Sequence, residues 1–233
     1  MKKRLINIFI LLLIILNINL YSQNSVFLSA GISINNPTGR FYNSKLGFSS
    51  YDSTTSYIIN TTTKASLGYN ISIGRLFFNI VHTGIFYTYI PNFYIKREIR
   101  EIINSTNYET IIATNNKYQS INIEISFFLM TNSYVKAQFN TLIGLVSILD
   151  DLQDYSNLWL GYTIGFGGSI YIFLNPNVAL ALGYLTSFDN YTLKSSEKEN
   201  KFYEIYNKIE YDQKGLLSTG IIKLVFYPFN WKL

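Results

Sequence analysis

The chain of 233 residues holds one histidine, His82, and no cysteine. Imidazole can exchange a proton near neutral pH, so His82 is the first residue to weigh for chemistry. A metal site is a poor fit, with one imidazole, no thiolate and no acid cluster beyond Asp150, Asp151 and Asp154. Those acids stand in "LDDLQDYSN", and spaced carboxylates can hold calcium. The glycine and distal Glu of a calcium loop are absent there, so an ordinary solvated turn is expected. Three further charges, Lys64, Glu124 and Lys136, fall among small polar residues on one side of alternating segments. A charge enclosed in a packed interior must be paired or wetted. A structural polar network is therefore expected, with Lys64 the first partner for Glu124 and Lys136 reaching water near one end. No catalytic group, cofactor or metal is expected.

These residues are positioned by segments of strict alternation. In "KASLGYNISIG", Ala65, Leu67, Tyr69, Ile71 and Ile73 oppose Lys64, Ser66, Gly68, Asn70, Ser72 and Gly74. Side chains of a strand alternate between two faces, so one face is apolar and the other small or polar. Eight segments repeat the pattern. The first sets Val26, Leu28, Ala30, Ile32 and Ile34 against Phe27, Ser29, Gly31 and Ser33. The third, 79–90, puts His82 on the polar side with Gly84, Phe86 and Thr88. The fourth, 120–129, sets five apolar residues against Ser120, Asn122, Glu124 and Ser126. Segments starting near 135, 160 and 178 follow suit, and the eighth runs from about Gly215 with its phase disturbed by Lys223 and Pro228.

Composition narrows the solvent. Residues 1–22 read as a cleaved secretory signal: Lys2, Lys3 and Arg4, then an apolar run from Leu5 to Leu16, then small Ser22. That run is short of the ~20 residues a spanning helix needs. Residues 23–233 form one domain. Charged residues are 14% of the chain, against ~25% in an ordinary soluble domain. No basic stripe argues for nucleic acid. Few charges and many aromatics, without a spanning helix, point to a transmembrane β-barrel. A soluble lipocalin-like barrel would need the small polar face to serve as its water-facing surface. Turned inside out, the apolar face meets lipid and the polar face fills the lumen.

The connections support this. Tight links, "GRLFF", "MTNSY" and "NPN", follow segments two, four and six. Longer ones, 35–63, 91–117, 150–157 and 189–214, follow the others. Short turns at one rim and long loops at the other mark outer-membrane barrels. The expectation is an all-β, eight-stranded antiparallel up-and-down barrel, with both termini at the short-turn, periplasmic rim. Tyr87, Tyr89, Tyr118, Tyr134, Trp159, Tyr184 and Trp231 are expected near strand ends, at headgroup level.

By this pattern, over 26–233, the chain resembles the small eight-stranded outer-membrane barrels of the OmpA/OmpX type. The closing "FYPFNWKL", with Tyr227, Phe229, Trp231 and Leu233 alternating, looks like the C-terminal strand such barrels offer to their assembly machinery. It departs from that pattern in its final Leu and in Pro228. The resemblance implies the outer membrane of a double-membraned bacterium, in contact with outer-membrane lipid and lipid A. Lipid A deacylases are similar small barrels that use a His with a Ser and an acidic residue. Such chemistry belongs near the long-loop rim, whereas His82 lies near the short-turn rim. A hydrogen-bonded lumen histidine and no enzyme activity are therefore expected.

Two long-loop stretches, "FYIKREIREII" (93–103) and "KFYEIYNKIEY" (201–211), keep alternating. In the second, Tyr203, Ile205, Ile209 and Tyr211 oppose Glu204, Tyr206, Lys208 and Glu210. Strands three, four and eight are expected to project as exposed ribbons, whose edges can pair with an extracellular protein or host ligand. The expected role is structural or surface interaction. A small pore or transporter is the alternative, and a lipid A-modifying enzyme comes after it.

Overall fold

Ile, Val, Thr, Tyr and Phe fit a pleated surface, and their alternation gives each strand two different faces. The computed structural model describes residues 25–38, 44–49, 55–78, 80–103, 106–129, 134–151, 156–194 and 214–228, and every regular element among them is a β-strand. The strands are β1 (Ser25–Thr38), β2 (Ser44–Ser49), β3 (Thr55–Thr63), β4 (Ser66–Phe77), β5 (Val81–Ile103), β6 (Thr106–Phe128), β7 (Val135–Asp151), β8 (Ser156–Asn175), β9 (Val178–Lys194) and β10 (Lys214–Phe226).

Eight of them, in the order β5-β4-β1-β10-β9-β8-β7-β6, close through β5–β6 pairing into an antiparallel barrel. The first and last barrel strands pair along their length, from Leu28 opposite Phe226 to Thr38 opposite Leu216. Closure leaves no open edge within the barrel wall. The apolar face points outward: Ile71 is 58% exposed, Ile123 54% and Ile143 61%. Their neighbours Ser72, Asn122 and Leu142 are buried inside. A belt of large apolar side chains on every barrel strand suits lipid, not water.

The eighth segment's phase is settled by Lys223. It is 5% exposed and points inward with Leu217, Thr219 and Val225, while Ile222, Leu224 and Phe226 face out. Tyr227 also points inward and is fully buried, so it does not continue a lipid-facing row; Phe229, Trp231 and Leu233 lie outside the described residues.

At the short-turn rim, β4 reaches Phe77, and the reversal uses Phe78 in the left-handed region (φ 52°) with Ile80 N–H donating to Phe77 O. Gly74 and Gly84 face each other across β4 and β5, inside the strands and not in the turn. A Cβ on Gly74 would lie 2.1 Å from Thr83 O and 2.8 Å from the Phe27 ring. Only glycine lets the two backbones and that ring come so close. The β8–β9 reversal at Pro176 is fixed by Asn177 N–H donating to Asn175 Oδ1 (2.8 Å).

At the opposite rim strands three and four project as a ribbon, as expected: over 93–103 and 106–116, β5 and β6 stay paired, to Ile103 opposite Thr106. A bulge between Ile90 and Phe93 falls at Pro91, which has no N–H for the ladder, and it shifts the inward phase from Ile90 to Phe93 and Ile95. The upper half of β5 gains β3 as a second neighbour, from Thr63 opposite Ile95 to Thr55 opposite Ile103, and β2 pairs with β3. A four-stranded sheet, β2-β3-β5-β6, thus rises above the barrel. The first long connection supplies two of its strands, which alternation alone did not mark. The 201–211 stretch, with Tyr203, Ile205, Ile209 and Tyr211, lies outside the described residues.

Candidate functional site

An eight-stranded barrel is just wide enough for side chains to fill. Here the filling is layered. At the short-turn end Phe27, Leu76, Phe128, Tyr171, Phe173, Ala179, Ala181, Val225 and Tyr227 form one buried apolar cluster drawn from strands all around the barrel. His82, two residues into β5, sits in this plug with no exposure. Its ring stacks on Phe27 (centroids 4.4 Å, 16° between planes), and the edges of Phe128 and Tyr171 meet it at 5.0 and 5.9 Å. Gln138 Nε2 donates to Nδ1 at 2.8 Å, so the ring's own proton is on Nε2, which is 3.2 Å from Tyr227 Oη. Both ring nitrogens are occupied by structural hydrogen bonds.

Two ammonium groups flank the plug. Lys136 Nζ stands over the rings of Phe128 and Phe173, each at 5.4 Å. Lys223 Nζ stands over Phe86 and Tyr171 at 5.7 and 5.8 Å. Both lysines are nearly fully buried, and cation–π contact partly replaces lost water.

Above the plug the lumen is polar. Ser29 and Ser72 share a hydrogen bond, Thr88 Oγ1 donates to Asn70 Oδ1 (2.9 Å), and Asn140 Nδ2 donates to Ser169 Oγ (2.7 Å). Glu124, 2% exposed, takes a hydrogen bond from Ser126 Oγ on Oε1 (3.0 Å), while Oε2 has no hydrogen-bond partner. Glu124 lines a small cavity with Lys223, Asn140 and Ser169, with room for roughly one water molecule. Phe86, Leu142 and Leu185 form an apolar shelf beside it. Near the ribbon, Asp189 Oδ2 accepts from Tyr191 Oη (2.9 Å) and Tyr118 Oη (3.4 Å), and Asn35 joins Ser33, Ser66 and Thr219.

The structure thus puts Glu124 and Lys136 inside, and Lys64 elsewhere. Lys64 is exposed, at the break between β3 and β4, with Nζ 5.1 Å from the Tyr94 ring centroid. That break ends the alternation that would have pointed it inward, so it cannot be the partner of Glu124. Lys223 takes its place at the cavity. Tyr118 and Trp159, expected at headgroup level, are buried instead. Tyr134 and Tyr184 are exposed, and Trp231 lies outside the described residues. Asp150 and Asp151 end β7; Asp154 lies outside the described residues. Sequence reasoning missed Lys223, Gln138 and Tyr227 as neighbours of the histidine. The signal available was the inward parity of Lys136 and Gln138, which share a face of β7 with a 2-residue spacing.

No family model matches the chain, and no curated protein matches it. Solved structures do. Neisserial surface protein A is 13% identical with a TM-score of 0.57, over 88% of this chain and 98% of its own. The fold is that of a small eight-stranded outer-membrane β-barrel. Two further similar structures are more distant. Ail of Yersinia pestis, solved with the heparin analogue sucrose octasulfate, is 12% identical (TM-score 0.48, 87% of this chain and 97% of its own). OprG of Pseudomonas aeruginosa is 8% identical (TM-score 0.49, 88% and 96%).

Proposed function

We propose that this is an integral outer-membrane protein whose work is surface interaction, carried by the sheet above its long-loop rim and not by chemistry in its lumen. The observation that carries the reading is the four-stranded β2-β3-β5-β6 sheet standing on a filled barrel. The rim from which it rises faces outward from the cell, and the short-turn rim, where Ser25 and Tyr227 lie, faces the periplasm. Residues 1–22 serve as the export signal, and the last strand engages the barrel-assembly machinery. Lipid A surrounds the outer half of the apolar belt.

Within the sheet, the β6 stretch from Thr106 to Asn116 pairs only with β5 among the described residues, and β2 only with β3. Unpaired strand edges can accept a strand from an extracellular partner. The non-enzymatic reading is supported by His82, whose nitrogens are both engaged and whose ring is enclosed. The aromatic plug supports a barrel closed at neutral pH over one that conducts freely.

The test uses cells displaying the full-length protein beside cells displaying a version in which a tight turn replaces residues 94–114. Binding to immobilised extracellular-matrix proteins is compared. Binding by the full chain that the shortened, still heat-modifiable barrel loses supports the reading. Equal binding by both moves the activity off the sheet.

A further inference from the structure

The plug holds a titratable group that the surface function does not use. Neutral His82 satisfies its surroundings: Nδ1 accepts from Gln138 and Nε2–H faces Tyr227 Oη. A proton added to Nδ1 would meet the Gln138 amide, another donor, head-on. It would also place a third cation in an apolar pocket. Lys136 from β7 and Lys223 from β10 already stand over Phe128 and Tyr171, the two rings whose edges touch the imidazole. The other ionisable groups facing it are the Tyr171 and Tyr227 hydroxyls and, on β6, Glu124. The carboxylate is held through Ser126, which lies opposite His82 in register. One carboxylate does not balance two ammoniums and an imidazolium, and burial strips the water that would screen them. His82 is the second residue of β5, beside the short turn at the end of the lumen.

We infer that His82 is an acid-sensitive latch on the short-turn end of the lumen: neutral, it closes the aromatic plug; charged, it leaves the plug and admits water to the polar column above. The proton comes from bulk water at the mouth and returns there when the pH rises. Once released into water the ring takes up a proton as a solvated imidazole does, so the closed form is favoured at neutral pH and acid moves the balance toward release, by up to ~10-fold per pH unit. The column that would fill holds the acceptors with no hydrogen-bond partner, Asn122 Oδ1, Glu124 Oε2 and Asn140 Oδ1.

The native chain has no cysteine, so single thiols can report entry. Ser72 (1% exposed) and Ser120 (4% exposed) both face the lumen above the plug. S72C and S120C, each in the full-length protein refolded in micelles, are treated with a small cationic thiosulfonate. Each is compared at the same pH with its partner carrying His82→Asn, so the thiol's own pH dependence cancels. At pH 8 both should label slowly and alike. At pH 4.5 the His82 form should label at least 10-fold faster than the H82N form. Q138E, which sets a carboxylate acceptor against Nδ1, should abolish the acid response, and E124Q should retain it. Equal labelling of His82 and H82N forms at pH 4.5 would overturn the latch; it would mean the Gln138 amide turns over and accepts the proton in place. Fast labelling at pH 8 in both would also overturn it, since the plug would then not be the closure. Two thiol positions keep the test standing if one variant does not fold.

Discussion

Tyr227 Oη lies 3.2 Å from His82 Nε2, although 145 positions separate them in the chain. The contact joins the residue just past the last described strand to the second residue of β5, across the lumen. Tyr227→Phe should leave the ring proton without an acceptor in a dry pocket, at a cost of about 1–3 kcal/mol. The check is the urea midpoint of the refolded protein in lipid vesicles, which should fall with unchanged slope. No change would mean that water replaces the hydroxyl and the plug is wetter than its packing indicates.

Gly84 and Gly220 separate steric need from habit. A Cβ at Gly84 would come 2.4 Å from Ile73 O, whereas one at Gly220 would meet nothing within 4 Å. Gly84→Ala should cost at least about 1–3 kcal/mol by overpacking, or prevent the heat-sensitive compact form on gels. Gly220→Ala should stay within about 0.5 kcal/mol of the native protein. Equal effects would mean that β4 and β5 are not so closely apposed.

Ile123 and Asn122 are neighbours with opposite surroundings, one half exposed to the outside and the other buried in the lumen. Ile123→Arg should destabilise the barrel by about 2–4 kcal/mol in vesicles if it lies near the bilayer midplane. A negligible cost would move that row out of the hydrocarbon.

Lys223 and Lys64 make a further contrast. Lys223→Met leaves Glu124 as a buried charge without its cavity neighbour, and should cost about 3 kcal/mol. Lys64→Gln, at an exposed position, should change stability by less than about 0.5 kcal/mol. The reverse ranking would restore Lys64 as the counter-charge of the lumen.

On the projecting sheet, Lys96 Nζ donates to Glu98 Oε1 at 2.6 Å. That hydrogen bond, then the ammonium's charge, holds the Glu98 carboxyl below the usual carboxylate range. A carboxyl depressed in the folded state contributes stability above its unfolded pKa and loses it as the pH falls through the folded one. Protection against amide exchange along β3 and upper β5, taken relative to an unprotected amide at the same pH, should therefore fall only in acid, and Glu98→Gln should remove that dependence. A fall already at neutral pH would place its cause elsewhere.

Much of this architecture could be read from the chain alone. Alternation has only two phases, and with glycine, serine and asparagine on one side and isoleucine, leucine and tyrosine on the other, only one phase suits a membrane. That settled the barrel, the outward belt, the inward Glu124 and the place of His82 near a short turn. Where the period broke, local pattern lost its hold. Pro91 shifted the phase of β5, the break after β3 turned Lys64 outward, and Lys223 looked like a disturbance until its strand was paired. Neighbours across the lumen come from strands far apart in sequence, so the placing of His82 on Phe27, between its hydrogen-bond partners Gln138 and Tyr227, had no local signature. The sheet above the rim likewise depended on β3 meeting β5, a long-range pairing. Periodicity along one strand determines which way a side chain points; barrel closure and register decide what it meets there.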